Sequence, residues 1–281
     1  MEISGGSGLT KAVIGLGNAS TGGVALDEAG YAYVTNFHSG AIHKVHLASG
    51  EIIESTIVGQ VNSVALDRRG SAFVTDLYNG MVYRVRLSTG QITVGAGYIE
   101  YPVDIGVDVT GRIVYVISAL GRVYRVNMVS GIRTEVVSGL PDLLGLALDG
   151  QGNAYVTSIE GQLLRVGLAT GEVTKIAAGL GDAYGVAVDG QGNAYTSAFT
   201  EGLLIRVDLT NGNLTEAASG LGNPFALAID RTGSTYVANT HGVLWKIKNA
   251  DTVALGCRSC TRAGTQINNQ MSWSHRLTPG P

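Results

Sequence analysis

Cysteine is nearly absent. Only Cys257 and Cys260 occur in 281 residues, both close to the end, so no disulfide framework can staple the body of the chain. Charge is also sparse, at 15% of residues. The 19 basic and 22 acidic side chains are intermixed for a net charge of −3, which leaves no basic footprint for nucleic acid or an anionic membrane. No apolar run approaches the roughly 18 residues of a membrane helix, and Met1-Glu2-Ile3-Ser4-Gly5-Gly6-Ser7 carries neither a basic nor an apolar leader region. A soluble monomer, cytoplasmic by default and without nucleic-acid or membrane partners, is therefore the expectation. Missing too are a GxGxxG ahead of a helix, a Walker loop and a GxSxG elbow, which disfavours nucleotide cofactors and hydrolase triads.

What the chain has is glycine, 41 residues of it, against 5 prolines and 45% hydrophobic residues. That balance fits many short strands joined by tight turns around a substantial core. Read in register, GGVALDEAGYAYVTN, NSVALDRRGSAFVTD, DIGVDVTGRIVYVIS, LGLALDGQGNAYVTS, YGVAVDGQGNAYTSA and FALAIDRTGSTYVAN are six copies of one pattern. The aspartates that close the first apolar run, Asp27, Asp67, Asp108, Asp149, Asp189 and Asp230, recur every 40 or 41 residues.

In each copy the run ending in Asp is strand a. A glycine turn leads to strand b, with cores such as Tyr33-Val34 and Phe73-Val74. Strand c follows with a basic residue at a fixed place (Lys44, Arg84, Arg125, Arg165, Arg206, Lys246), and a second glycine turn opens strand d. Four strands per repeat are the blade of a propeller. The expected fold is all-β: a six-bladed β-propeller with four antiparallel strands per blade. The sixth copy stops after strand c near Lys248, but residues 9–17 (LTKAVIGLG) match the strand d segments VTKIAAGLG and LTEAASGLG. The N-terminal strand is thus expected to complete the last blade, giving a propeller over 1–248 and a non-repeat tail over 249–281. Cys257-Arg258-Ser259-Cys260 lies in that tail as a lone CxxC, short of the four ligands of a zinc site, and His275 is isolated.

This pattern, an apolar strand ending in Asp, a Gly turn, then Tyr-Val-Thr-Asp/Asn and a basic strand, resembles the NHL repeat over about 9–248. Asp67 with Phe73-Val74-Thr75-Asp76 and Arg84 is the closest copy, and Pro102 and Pro224 sit where such repeats often place proline before strand a. The chain is also distantly similar to gluconolactonase-type, strictosidine-synthase-like and streptogramin lyase propellers. Where the first of these are expected to carry a metal-binding glutamate, this chain has Thr21-Gly22-Gly23. The third have Trp-rich blades that this chain lacks, and the second are matched at Gly139-Leu140-Pro141-Asp142 leading to Tyr155-Val156. The resemblance implies the fold and leaves activity open.

Residues that recur in every blade serve the blade. The Asp ladder is read as capping the a–b turn, and the basic ladder as pairing with a neighbouring blade. Function is expected where the copies differ, at the b–c and d–a loops that open together around the channel. Strand b ends in Asn36, Asp76, Ser118, Ser158, Ala198 and Asn239, followed two residues on by His38, Tyr78, Leu120, Glu160, Thr200 and His241. His38, His241, Asp76 and Tyr78 form one candidate sector, of the chemistry that holds a divalent cation or transfers protons. Glu160 near Tyr184 is a candidate acid or base in the opposite sector. The d–a loops are expected to add Asn62, Asp104, Tyr184 and Phe225; together with Asn36 and Asn239, the first three are candidate ligand contacts. Two readings follow: a propeller binding a small molecule, peptide or protein at the channel mouth, or a lyase, isomerase or hydrolase working at the same face, with or without a metal.

Overall fold

The inner strand of every repeat is apolar because it is enclosed on both sides, by its own blade and by the blades flanking it. A computed structural model describes residues 8–16 and 21–248. The chain starts with β1 (Gly8–Ile14). Blade one follows as β2 (Thr21–Leu26), β3 (Tyr31–Asn36), β4 (Ala41–His46) and β5 (Glu51–Ile57), and blade two as β6 (Val61–Leu66), β7 (Ser71–Asp76), β8 (Met81–Arg86) and β9 (Gln91–Ala96). Blade three is β10 (Pro102–Val107), β11 (Ile113–Ser118), β12 (Arg122–Asn127) and β13 (Arg133–Val137); blade four is β14 (Leu143–Leu148), β15 (Asn153–Ser158), β16 (Gln162–Gly167) and β17 (Val173–Ala178). Blade five comprises β18 (Ala183–Val188), β19 (Asn193–Ala198), β20 (Leu203–Asp208) and β21 (Leu214–Ala218), and blade six β22 (Pro224–Ile229), β23 (Thr235–Asn239) and β24 (Val243–Lys248).

All six sheets are four-stranded and antiparallel, and the sixth is completed by β1, which pairs with β24 from Gly8↔Lys248 to Ile14↔Val243. Inner strands touch in ring order, β2 against β6 and so on round to β22 against β2. The ring thus closes through the two ends of the repeat region, as the displaced copy of strand d foretold. Val13 and Leu16 are almost fully buried, and Val13 and Leu16 share a core cluster with Val24 and Val34 of blade one and Tyr236 and Leu244 of blade six. The hydrophobic cores lie between blades, which is why one blade cannot bury its faces alone. The segment 249–281, with Cys257, Cys260 and His275, lies outside the described residues, as does Gly17.

The Asp ladder caps the a–b turns. Asp27 Oδ1 accepts the amides of Ala29 and Tyr31 at 2.9 and 2.8 Å, and Asp149 and Asp189 repeat the pattern with their own i+2 and i+4 amides. Asp108 reaches one residue further, to Ile113, because its turn is one residue longer. The basic ladder differs from expectation. Each member stands opposite an aromatic of its own strand b: Lys44 pairs with Tyr33, Arg84 with Phe73 and Lys246 with Tyr236. The cations lie 5.9, 5.9 and 5.0 Å from those ring centroids. A residue on strand c has its cross-strand neighbour about 5 Å away, nearer than the next blade, so the contact forms within the blade.

A second ring of contacts ties blade to blade on the b–c face. Glycines 40, 80, 121, 161, 202 and 242 end the b–c turns at positive φ between 66° and 71°. Each carbonyl accepts an amide from the following d–a connection, as Val58 donates to Gly40 and Ile99 to Gly80. In the last blade Gly15 and Leu16 both donate to Gly242, so the closing strand repeats the internal joint.

Candidate functional site

Counting back from the ladder aspartates aligns the inner strands row by row. The mouth row holds Gly22, Asn62, Val103, Leu144, Tyr184 and Phe225; the next holds Gly23, Ser63, Asp104, Gly145, Gly185 and Ala226. Below them come a collar of Ala25, Ala65, Gly106, Ala147, Ala187 and Ala228 and a floor of Leu26, Leu66, Val107, Leu148, Val188 and Ile229. Apart from Gly106, the members of these last two rows, with Asn62, Ser63, Asp104, Tyr184 and Phe225, line one cavity of about 320 Å³ along the axis. That volume sits at the small end of ligand pockets, which run from about 300 to 1,000 Å³.

Five blades place Gly, Ala or Ser in the second row, and blade three places Asp104. Backbone crowding explains the small residues: a Cβ on Gly145 would stand 2.3 Å from the Tyr184 carbonyl, and one on Gly23 2.8 Å from the Ser63 backbone. A hydroxyl on strand b usually joins neighbouring blades at this level. Thr35 accepts the Gly23 amide at 2.7 Å and donates to the Asn62 carbonyl at 2.9 Å, and Ser197 likewise links Gly185 to the Phe225 carbonyl. Blade three has Ile117 in that position and no hydroxyl. Instead, Asp104 spans three blades. Its Oδ1 accepts the Ser63 hydroxyl of blade two at 2.5 Å and the Ile105 amide at 2.8 Å, while Oδ2 accepts the Leu146 amide of blade four at 2.6 Å. Asn62 Nδ2 donates to the Val103 carbonyl alongside.

Desolvation deep in the ring pushes the Asp104 carboxyl up from 3.8 to about 6, against the three hydrogen bonds that pull it down. The side chain still keeps part of its surface open to the channel. No Lys, Arg or His lines the cavity among the described residues. Across the ring, in blades five and six, Tyr184 and Phe225 pack at 4.8 Å between ring centroids, with Phe199 5.0 Å from Tyr184. The cavity therefore has a polar side at blades two and three and an aromatic side at blades five and six.

Asn62, Asp104, Tyr184 and Phe225 were expected in d–a loops; they stand on β6, β10, β18 and β22, within the channel wall. Of the b–c candidates, Asn36, Asp76 and Asn239 are buried and hold their own turns. Asn36 accepts the His38 and Ser39 amides and donates to the Leu16 carbonyl; Asn239 accepts the His241 and Val243 amides and donates to the Leu221 carbonyl; Asp76 accepts the amide and side chain of Asn79. His38, His241, Tyr78 and Glu160 are exposed on the turns outside them. Phe37 packs against both His38 and Tyr78, at 6.0 and 5.5 Å between ring centroids, and Glu160 accepts from Gln162 at 2.7 Å. Among the described residues no three His, Cys, Asp or Glu side chains converge as metal ligands. Ser63 and the pairing of Asp104 with Ile117 were missed, although the aligned copies carry the signal: one acid in a row of small residues, and one isoleucine in a row of Thr, Ser and Ala.

By sequence the chain matches no family profile, and no curated protein is significantly similar to it. Solved structures are similar in fold. A gluconolactonase from Xanthomonas campestris superposes with a TM-score of 0.72 at 16% identity over 85% of this chain and 89% of that one. The calcium-binding protein regucalcin from Agrobacterium tumefaciens gives 0.68 at 18% identity over 85% and 93%. A virginiamycin B lyase from Staphylococcus aureus, solved in inactive form with quinupristin, gives 0.66 at 13% identity over 85% and 98%. Likeness at such identity carries the fold and not the chemistry. The chain is a six-bladed β-propeller, similar in fold to lyase and gluconolactonase propellers, whose axial channel has one polar sector.

Proposed function

We propose that the protein binds a small organic ligand in its axial channel, entered from the face of the b–c and d–a loops. One observation carries this reading: the mouth of the cavity sets Asn62, Ser63 and Asp104 across the ring from Tyr184 and Phe225, above a collar of alanines. Ligand pockets combine largely apolar walls with a few placed polar groups in this way. Asn36, Asp76 and Asn239 contribute by fixing the turns around the entrance, and His38, Tyr78, Glu160 and His241 form the outer rim that an entering ligand or a protein partner meets first.

A second reading is supported by Asp104. A carboxyl titrating near 6 is suited to donate or accept a proton at neutral pH, so the same ligand would be turned over by a lyase, isomerase or hydrolase. Two of the structural neighbours are enzymes, which supports the fold's capacity for such chemistry.

The binding reading is tested with a fragment library observed by ligand NMR, using the parent and the channel-filling variants Ala65→Phe and Ala187→Phe. Circular dichroism melts establish that each variant is folded. Fragments that bind the parent and are lost from the folded, filled variants are the expected result; fragments retained by both filled variants, or none bound by the parent, contradict it.

A further inference from the structure

The channel wall contains a carboxyl group that no described residue pairs with a cation. Asp104 is the only carboxylate lining the cavity, and no cationic side chain lines it among the described residues. Its three partners, Ser63, Ile105 and Leu146, are neutral donors. A carboxylate held this far inside a protein ordinarily has a cation beside it. On the far side of the same mouth stand Tyr184 and Phe225, an aromatic surface suited to the apolar part of a ligand.

Resting on the proposal that the channel holds a small ligand, we infer that this ligand is an organic amine, its ammonium group seated at Asp104 and its apolar portion against Tyr184 and Phe225. Among the described residues Oδ2 accepts a single hydrogen bond, at 2.6 Å, so it has capacity for a further one from the ligand. An ammonium supplies both that donor and the missing positive charge. A carboxylate or phosphate ligand would meet Asp104 as a like charge, and a wholly apolar one would cover the carboxylate with nothing to replace its water. The raised carboxyl fits the same picture, because a cation beside Asp104 draws it back toward the ionised form. The alanine collar sets the size class: one ring with a short alkylamine chain, rather than a peptide, fits a cavity of about 320 Å³.

The test uses the full chain and three matched probes, 2-phenylethylamine, 2-phenylethanol and 3-phenylpropionate, titrated by calorimetry and by ligand NMR. The amine is expected to bind about tenfold or more tightly than the alcohol, with the carboxylate weakest, as one partly desolvated charge pair requires. In Asp104→Asn the preference for amine over alcohol is expected to disappear. If the alcohol binds the parent as tightly as the amine, the amine inference is overturned while the channel reading stands. If no probe binds while other fragments enter the channel, it is overturned as well. If nothing at all enters the channel, both fall together. The comparison among probes is made on the parent, so it stands even if Asp104→Asn does not fold.

Discussion

The carboxylate of Asp104 accepts the Leu146 amide of the following blade at 2.6 Å, where blades one, four and five reach across with a Thr or Ser hydroxyl on strand b. Blade three thus makes its joint with a titratable group.

That joint sets a pH dependence. The folded Asp104 carboxyl titrates near 6, above its ordinary 3.8, so the folded state holds the proton more tightly than the unfolded state does. Its contribution to stability is therefore fully present below about 3.8 and lost as pH rises through about 6, by up to about 3 kcal/mol. Among the described residues, Tyr184 is the only other ionisable side chain lining the cavity. Urea melts of parent and Asp104→Asn between pH ~4 and ~8 are expected to show the parent losing stability relative to the variant across pH ~4 to ~7. A difference that stays flat with pH would mean that Asp104 ionises as freely folded as unfolded.

Closure of the ring by β1 makes the N-terminal strand a matter of global stability. Leu16 is 1% exposed, its amide bonds Gly242, and it packs with Val24 and Tyr236. Leu16→Ala is expected to cost about 2–5 kcal/mol and to lower a single cooperative melt, and deletion of residues 1–17 to lower it further. A deletion variant that melts like the parent would show that β1 does not close the propeller.

The basic ladder acts within blades. A double-mutant cycle of Lys44→Met and Tyr33→Leu is expected to give a coupling of about 0.5–1 kcal/mol, because the ammonium lies near the Tyr31 and Tyr33 rings, 4.5 and 5.9 Å from their centroids. Additive effects would place the partner of Lys44 elsewhere.

The turn caps obey a simple substitution rule. Asp149→Ala strips acceptors from the Gln151 and Asn153 amides and from the Asn153 side chain, and is expected to cost about 1–3 kcal/mol; Asp149→Asn retains one acceptor and costs less. Chemical denaturation of the two variants measures the difference, and equal losses would argue that charge rather than acceptor geometry holds the turn.

Much of this architecture was legible in the sequence because a repeat states its rule six times. The Asp turns, the four-strand blade and the displaced copy of strand d in residues 9–17 follow from register alone. The partner of the basic ladder did not, since spacing along the chain cannot say whether Lys44 reaches Tyr33 or the next blade; cross-strand pairing decides it. The channel residues were misplaced for a related reason. Asn62 and Tyr184 directly follow the first residues of β6 and β18, and polar or aromatic character there imitates a loop end. The ring itself was legible; what the linear reading passed over is the inner-strand row in which Asp104 stands as the one acid, in a cavity it shares with Tyr184 and Phe225.

The most direct measurement is a titration of methyl-labelled protein with 2-phenylethylamine, followed through the resonances of Leu144, Leu148 and Val188 in the channel and of Leu120 and Ile159 on the outer rim. The account predicts saturable shifts at the channel methyls, unchanged rim methyls, and a response in folded Asp104→Asn that saturates only at about tenfold higher amine. Shifts confined to Leu120 and Ile159, or none at saturating amine, would contradict it.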